Sequence, residues 1–223
     1  DMEKAVKRIL FAIDKKALPA GRQEKIIIYS DYDCDGIPGG VVLHDFFKKI
    51  GYENVKNHIP HRHEDGYGFH IGAIEKFAKD NVKLIITVDC GITDIESVDR
   101  ANELGIDVII TDHHLTNGKL PKAYAIIDPK QNGDKYPYKE ISGAGVAFKL
   151  VQGLIKKGDF KIKEGWEKWL LDMVGLATIA DMVELRGENR AFAHYGLKVL
   201  RKSPRVGLMK LCRKIKVNQS QVT

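Results

Sequence analysis

Three aspartates alternate in Asp31-Tyr32-Asp33-Cys34-Asp35-Gly36. At i, i+2 and i+4 beyond an apolar run, they point the same way while the chain stays extended. Hard oxygen donors of this kind suit Mg²⁺ or Mn²⁺. The plainer alternative is an Asp-rich turn that caps the next helix. A calcium loop of the EF-hand type does not fit: it needs a glutamate at its twelfth position, where Val42 stands.

Four further segments carry chemistry. Asp112-His113-His114 sets two imidazoles after a strand, where successive side chains diverge and can serve different partners. Asp89-Cys90-Gly91 is a turn whose interest lies in its place at a strand end. Asp181 follows the apolar stretch Val174–Ala180, where an unpartnered buried carboxylate is costly. Ser142-Gly143-Ala144-Gly145 opens a helix, whose exposed amides could hold a phosphate or whose small residues could serve close packing.

The elements that must position these residues follow from pattern. Apolar runs ending at Asp31, Asp89, Asp112 and Asp128 read as buried strands, and Tyr52 to Ile59 as a further one. Helices are expected over 3–14, 37–50, 73–80, 94–104, 143–157, 165–185 and 189–216, the last interrupted near Pro204. A linker is expected at 18–22 and a long loop at 128–142. Strand alternating with helix gives a doubly wound α/β class, with a mainly parallel sheet, flanking helices and a helical C-terminal part.

Composition is that of a globular protein: 223 residues, 43% hydrophobic and 30% charged. No apolar run has the length of a membrane span, so no membrane association is expected. The start at Asp1 suggests a piece of a longer chain. Three scattered cysteines suit a reducing cytoplasm rather than a disulfide framework. Cys34 and Cys90 lie within the motifs, as thiolates or as small fillers of tight turns. The net charge of +6 suits an anionic partner. From Lys198 to Lys216 there are eight Lys or Arg and no acid. That stretch reads either as a solvated helix face, with Leu197, Val199, Leu200, Leu208 and Leu211 turned inward, or as a phosphate-contacting surface.

Taken in order, Asp-x-Asp-x-Asp-Gly, Asp-Cys-Gly, Asp-His-His and Ala-Asp-Met-Val resemble the DHH phosphoesterase superfamily. Within it, the chain resembles the catalytic core of the RecJ-like single-strand-specific exonucleases. Local support comes from Pro60-His61-Arg62, Glu64-Asp65-Gly66-Tyr67-Gly68, Asp128-Pro129-Lys130, Gly143 to Ala147 and Glu188-Asn189-Arg190. The resemblance implies two Mn²⁺ or Mg²⁺ ions held by Asp31, Asp33, Asp35, Asp89, His113 and Asp181, with Asp89 the candidate bridge. It implies catalytic work for His114, facing the scissile phosphate, and for Asp112, steering the histidines. Arg62, Tyr67, Gly68, Ser142, Gly143, Gly145, Asn189 and Arg190 are the implied substrate contacts, and Asp128 ranks as a loop or outer residue.

The implied reaction is 5′→3′ hydrolysis of single-stranded nucleic acid, DNA ahead of RNA, in repair and recombination. Other repair or replication proteins are further candidate partners. The expected division is a catalytic domain over 1–190. Residues 191–223 then form a basic helical extension, or the start of a linker toward an accessory domain. Two other readings remain on the residues alone: a phosphoesterase of oligonucleotides, cyclic dinucleotides or pyrophosphate, and an inactive replication scaffold. The Gly66-Tyr67-Gly68 loop and basic tail favour a polymer substrate, and the filled motif positions favour an active enzyme.

Overall fold

A computed structural model describes residues 1–14 and 23–223. The linker expected at 18–22 lies outside the described residues. Five strands, β1 (Lys25–Ser30), β2 (Val55–His58), β3 (Val82–Val88), β4 (Asp107–Thr111) and β5 (Ala125–Ile127), form one parallel sheet in the order β2-β1-β3-β4-β5. Helices α1 (Met2–Ile13), α2 (Gly36–Lys49), α3 (Ile71–Lys79), α4 (Ile95–Glu103) and α5 (Gly143–Lys157) flank it. A 3-10 turn (Trp166–Leu170), α6 (Leu171–Ala180), α7 (Gly187–Leu200) and α8 (Val206–Lys214) follow.

β-Branched residues fill the central strands because both faces are covered. Ile26 and Ile28 pack with α1, α2 and α5, while Ile27 and Tyr29 face α3 and α4. This is the period-two alternation of a strand buried on both sides. The strand order reverses between β1 and β3. In an open α/β sheet that reversal leaves a crevice beyond the carboxyl ends, the usual place for a site.

The helical C-terminal part is more divided than its pattern suggests. The helix expected over 165–185 resolves into the 3-10 turn and α6, which ends where Met182 takes a positive φ of 58°. The boundary expected between 190 and 191 falls inside α7, which packs on α6 through a Gly175–Gly196 approach. Arg205 ties the start of α8 to the body, its Nε 2.7 Å from Asp172 Oδ2 and its Nη1 2.5 Å from Asp45 Oδ2. Leu211 was expected to turn inward but is half exposed, because α8 buries none of its residues.

Candidate metal centre

Each strand end places its aspartate by one more backbone bond. The Asp31 amide donates to Val88 O (3.1 Å), that of Asp89 to Thr111 O (2.9 Å) and that of Asp112 to Ile127 O (3.1 Å). The pairing of β1, β3 and β4 thus continues one residue past the strands, aligning three carboxylates at the reversal in strand order. The chain then turns sharply. Asp89 sits at φ 62°, a left-handed conformation that Asp tolerates better than most residues and that is typical of strained functional turns. Gly143 packs against it so closely that a Cβ there would lie 2.8 Å from Asp89 Oδ1.

Three overlapping sets of side chains bring ligand atoms within 4.8 Å of one another: Asp31 with Asp33 and Asp89; Asp35 with His113 and Asp181; and Asp89 with His113 and His114. His113 Nε2 lies 3.1 Å from Asp89 Oδ1, 3.5 Å from Asp35 Oδ2 and 3.7 Å from Asp181 Oδ2. Among the described residues, Asp31 Oδ1, Asp89 Oδ1 and His113 Nε2 are buried without hydrogen-bond partners. Burial, then the charges of Asp35 and Asp33, pushes the Asp89 carboxyl far above the usual range. Burial also raises Asp31, Asp181 and Asp35, the last to about 6. Carboxylates converging under these conditions are stable as anions only with a cation among them. Oxygen donors with one imidazole suit Mn²⁺ or Mg²⁺, so the residues fit the ions expected.

Asp112 has a different task. Its Oδ1 accepts from the His113 amide (2.7 Å), the His114 amide (3.2 Å) and His114 Nδ1 (2.7 Å), and its Oδ2 accepts from the Ile92 amide (3.0 Å). Burial alone would raise this carboxyl, but the His114 contact and the amides outweigh it and hold it below the usual range. The Asp112 hydrogen bond lifts His114 to about 9 against the cost of its own burial. The Asp112 contact thus favours the protonated ring and engages Nδ1, while the ring itself is half exposed.

Substrate-side expectations divide. Arg62 is exposed and lies over the Tyr32 ring at 4.2 Å, a stacking partner that the sequence pattern does not disclose. Tyr67 is half exposed, its hydroxyl 3.4 Å from both Asp89 O and His114 Nδ1. Arg190 is exposed on α7.

The other five candidates are buried and hydrogen-bonded within the protein. Gly68 is buried and its carbonyl accepts from the Tyr29 hydroxyl (3.0 Å). Ser142 caps α5, accepting from the Gly145 amide (3.2 Å), and the Gly143 amide donates to Asp35. With Ser142, Gly143 and Gly145 all buried, this helix start has no amide left for a phosphate. Asn189 is wholly buried, its side-chain amide donating to Glu140 O and Glu184 O.

Sequence reasoning also missed what holds the loop bearing Arg62 and Tyr67. Asp94 accepts from the Phe69 amide (3.0 Å) and Ser97 donates to Phe69 O. Cys34 is exposed, while burial pushes the Cys90 thiol well up, which suits a filler of its turn.

Residues 25–178 match the DHH family, N-terminal domain. The chain belongs to the DHH family. This DHH chain is 42% identical over 200 residues to the single-stranded-DNA-specific exonuclease RecJ of Bacillus subtilis, covering 90% of the chain and 24% of that relative. It is 34% identical over 197 residues to the RecJ of Thermus thermophilus, covering 88% of the chain and 28% of that relative. The DHH chain thus spans about a quarter of the length of either.

A crystal structure of exonuclease RecJ bound to manganese superposes with a TM-score of 0.80 at 30% identity, covering 98% of this chain and 52% of that one. The Thermus thermophilus RecJ structure in complex with Mn²⁺ gives 0.76 at 27%, covering 98% and 30%. CDC45 from Entamoeba histolytica, at 15% identity and a TM-score of 0.52 over 90% of this chain and 37% of that one, shares the fold alone.

Proposed function

We propose that this chain is the metal-dependent catalytic core of a 5′→3′ exonuclease acting on single-stranded DNA. The observation that carries the reading is the convergence of Asp31, Asp33, Asp35, Asp89, His113 and Asp181 at the reversal in strand order, with buried donor atoms left unpaired. Asp31 and Asp33 would hold one ion, and Asp35, His113 and Asp181 the other, with Asp89 between them. When bound, two such ions supply an activated water and neutralise charge on the phosphate oxygens.

The chain's own residues then have defined tasks. Asp112 holds His114 protonated, so that Nε2 can donate to a non-bridging oxygen of the scissile phosphate. Arg62, steadied on Tyr32, offers a guanidinium to the backbone, and Tyr67 offers a ring at the mouth of the site. RecJ is named a single-stranded-DNA-specific exonuclease in several organisms, and that supports DNA as the polymer. A cytoplasmic location and a repair setting with other repair or replication proteins go with this reading. Three free cysteines support it, and no helix among the described residues is long and apolar enough to cross a membrane.

End-labelled single strands of DNA and RNA, of each polarity, with Mn²⁺ and with Mg²⁺, test the proposal. The expected result is metal-dependent loss of nucleotides from the 5′ end of DNA. Hydrolysis of dinucleotides or pyrophosphate with intact long strands would replace it by the small-substrate reading.

A further inference from the structure

His113 has two buried ring nitrogens, and only one faces the carboxylates. Nε2 is the atom within 3.1–3.7 Å of Asp89, Asp35 and Asp181. A histidine that gives Nε2 to a metal carries its proton on Nδ1 and needs an acceptor there. His113 Nδ1 is buried and has no hydrogen-bond partner among the described residues. Asp112, its chain neighbour, does not serve: its oxygens already accept from the His113, His114 and Ile92 groups.

One other buried carboxylate ends the neighbouring strand, beyond 4.0 Å from the His113 ring nitrogens. Asp128 follows β5 as Asp112 follows β4, and the two strands run in register with Thr111 opposite Ile127. Asp128 is wholly buried. Its Oδ1 accepts from the Lys130 amide at 2.7 Å, while Oδ2 is buried with no partner. Among the described residues, the other buried acid oxygens without partners, on Asp31 and Asp89, belong to the metal cluster. Burial raises the Asp128 carboxyl to about 6, and His113 is among the groups whose charge pulls it back. A donor without an acceptor and an acceptor without a donor thus lie at the ends of adjacent strands.

We propose that Asp128 is the positioning residue for His113: its Oδ2 accepts from His113 Nδ1–H when Nε2 coordinates metal. This carboxylate–histidine–metal relay fixes the tautomer and the ring plane and strengthens the ligand. The inference rests on the metal reading proposed above.

The test is Mn²⁺ binding by calorimetry to wild type, Asp128→Ala and Asp128→Asn. Nitrogen NMR of His113 with diamagnetic Mg²⁺ accompanies it. Asn keeps the size and one acceptor oxygen, so it guards against a folding artefact. Asp128→Ala is expected to weaken Mn²⁺ binding ~10–100-fold, as outer partners of metal-bound histidines do. Asp128→Asn should fall between that variant and wild type. A protected Nδ1–H signal should be present in wild type and absent in Asp128→Ala. Unchanged affinity in Asp128→Ala, equal loss in both variants, or a persistent Nδ1–H signal without the carboxylate would overturn the assignment of Asp128. Failure of wild type itself to bind Mn²⁺ would overturn the metal reading beneath it.

Discussion

Asp35 and Gly143 lie 108 positions apart in sequence and are joined by a 2.5 Å hydrogen bond from the Gly143 amide to Asp35 Oδ2. The Ala144 amide donates to the other oxygen at 2.8 Å. One carboxylate thus caps α5 from another element while facing the metal cluster. Asp89, beside it, has a buried oxygen with no partner.

The two aspartates should therefore differ in sign when metal is absent. Asp35→Ala leaves two buried helix amides unsatisfied and should lower metal-free stability by ~1–3 kcal/mol. Asp89→Asn relieves like-charge crowding while keeping a residue that tolerates its positive φ, so it should raise metal-free stability. Both should abolish metal-dependent hydrolysis. Thermal melts in chelator read the contrast, and equal destabilisation by both would contradict it.

Acidity should govern the metal's effect. Burial raises Asp35 and Asp128 to about 6, from 3.8. The metal-free protein therefore binds more protons folded than unfolded between those values, and this contribution to stability falls as pH rises through the interval. Metal needs the ligands deprotonated, so stabilisation by Mn²⁺ should grow over the same interval. Melts with and without Mn²⁺ on both sides of it provide the check. A shift that shrinks with rising pH would tell against buried carboxylate ligands.

The Asp112–His114 pair predicts a pH profile. His114 at about 9 should set the alkaline limb of activity. Asp112→Asn removes the charge that raises it, so the limb should move toward 6.5. His114→Ala should cost ~10²–10⁴-fold in kcat. Profiles of kcat for the three proteins decide. An unmoved limb in Asp112→Asn would remove His114 from the role of cationic donor.

Helix packing should reach the metal through Asp181. A Cβ on Gly196 would lie 2.5 Å from Leu171 O and 2.6 Å from Gly175 Cα, which nothing but helix separation relieves. Gly196→Ala should cost ~1–3 kcal/mol and weaken Mn²⁺ binding, since α6 carries Asp181 at its end. Unchanged affinity despite lower stability would uncouple the packing from the site.

The fold was legible because four of its five strands, β1, β3, β4 and β5, are short apolar runs ending in aspartate, a local signal. The metal cluster was legible for the same reason: Asp31, Asp89 and His113 stand at or just past strand ends. What stayed hidden was set by partners distant in sequence. Ser142, Gly143 and Gly145 look like an open phosphate cradle until Asp35 arrives from another element to take the amides. Asn189 looks like a polar contact beside Arg190, yet it is buried and its amide is taken by the carbonyls of Glu140 and Glu184. Asp128 looks like a loop residue, and only the β4–β5 register sets it at the end of the strand next to the one His113 follows.

The most direct test is the anomalous scattering of Mn²⁺ in crystals of this chain. Two manganese peaks are predicted, one on each side of Asp89, ringed by Asp31 and Asp33 and by Asp35, His113 and Asp181. No peak at this cluster, or a single ion that leaves Asp89 unligated, would contradict the account.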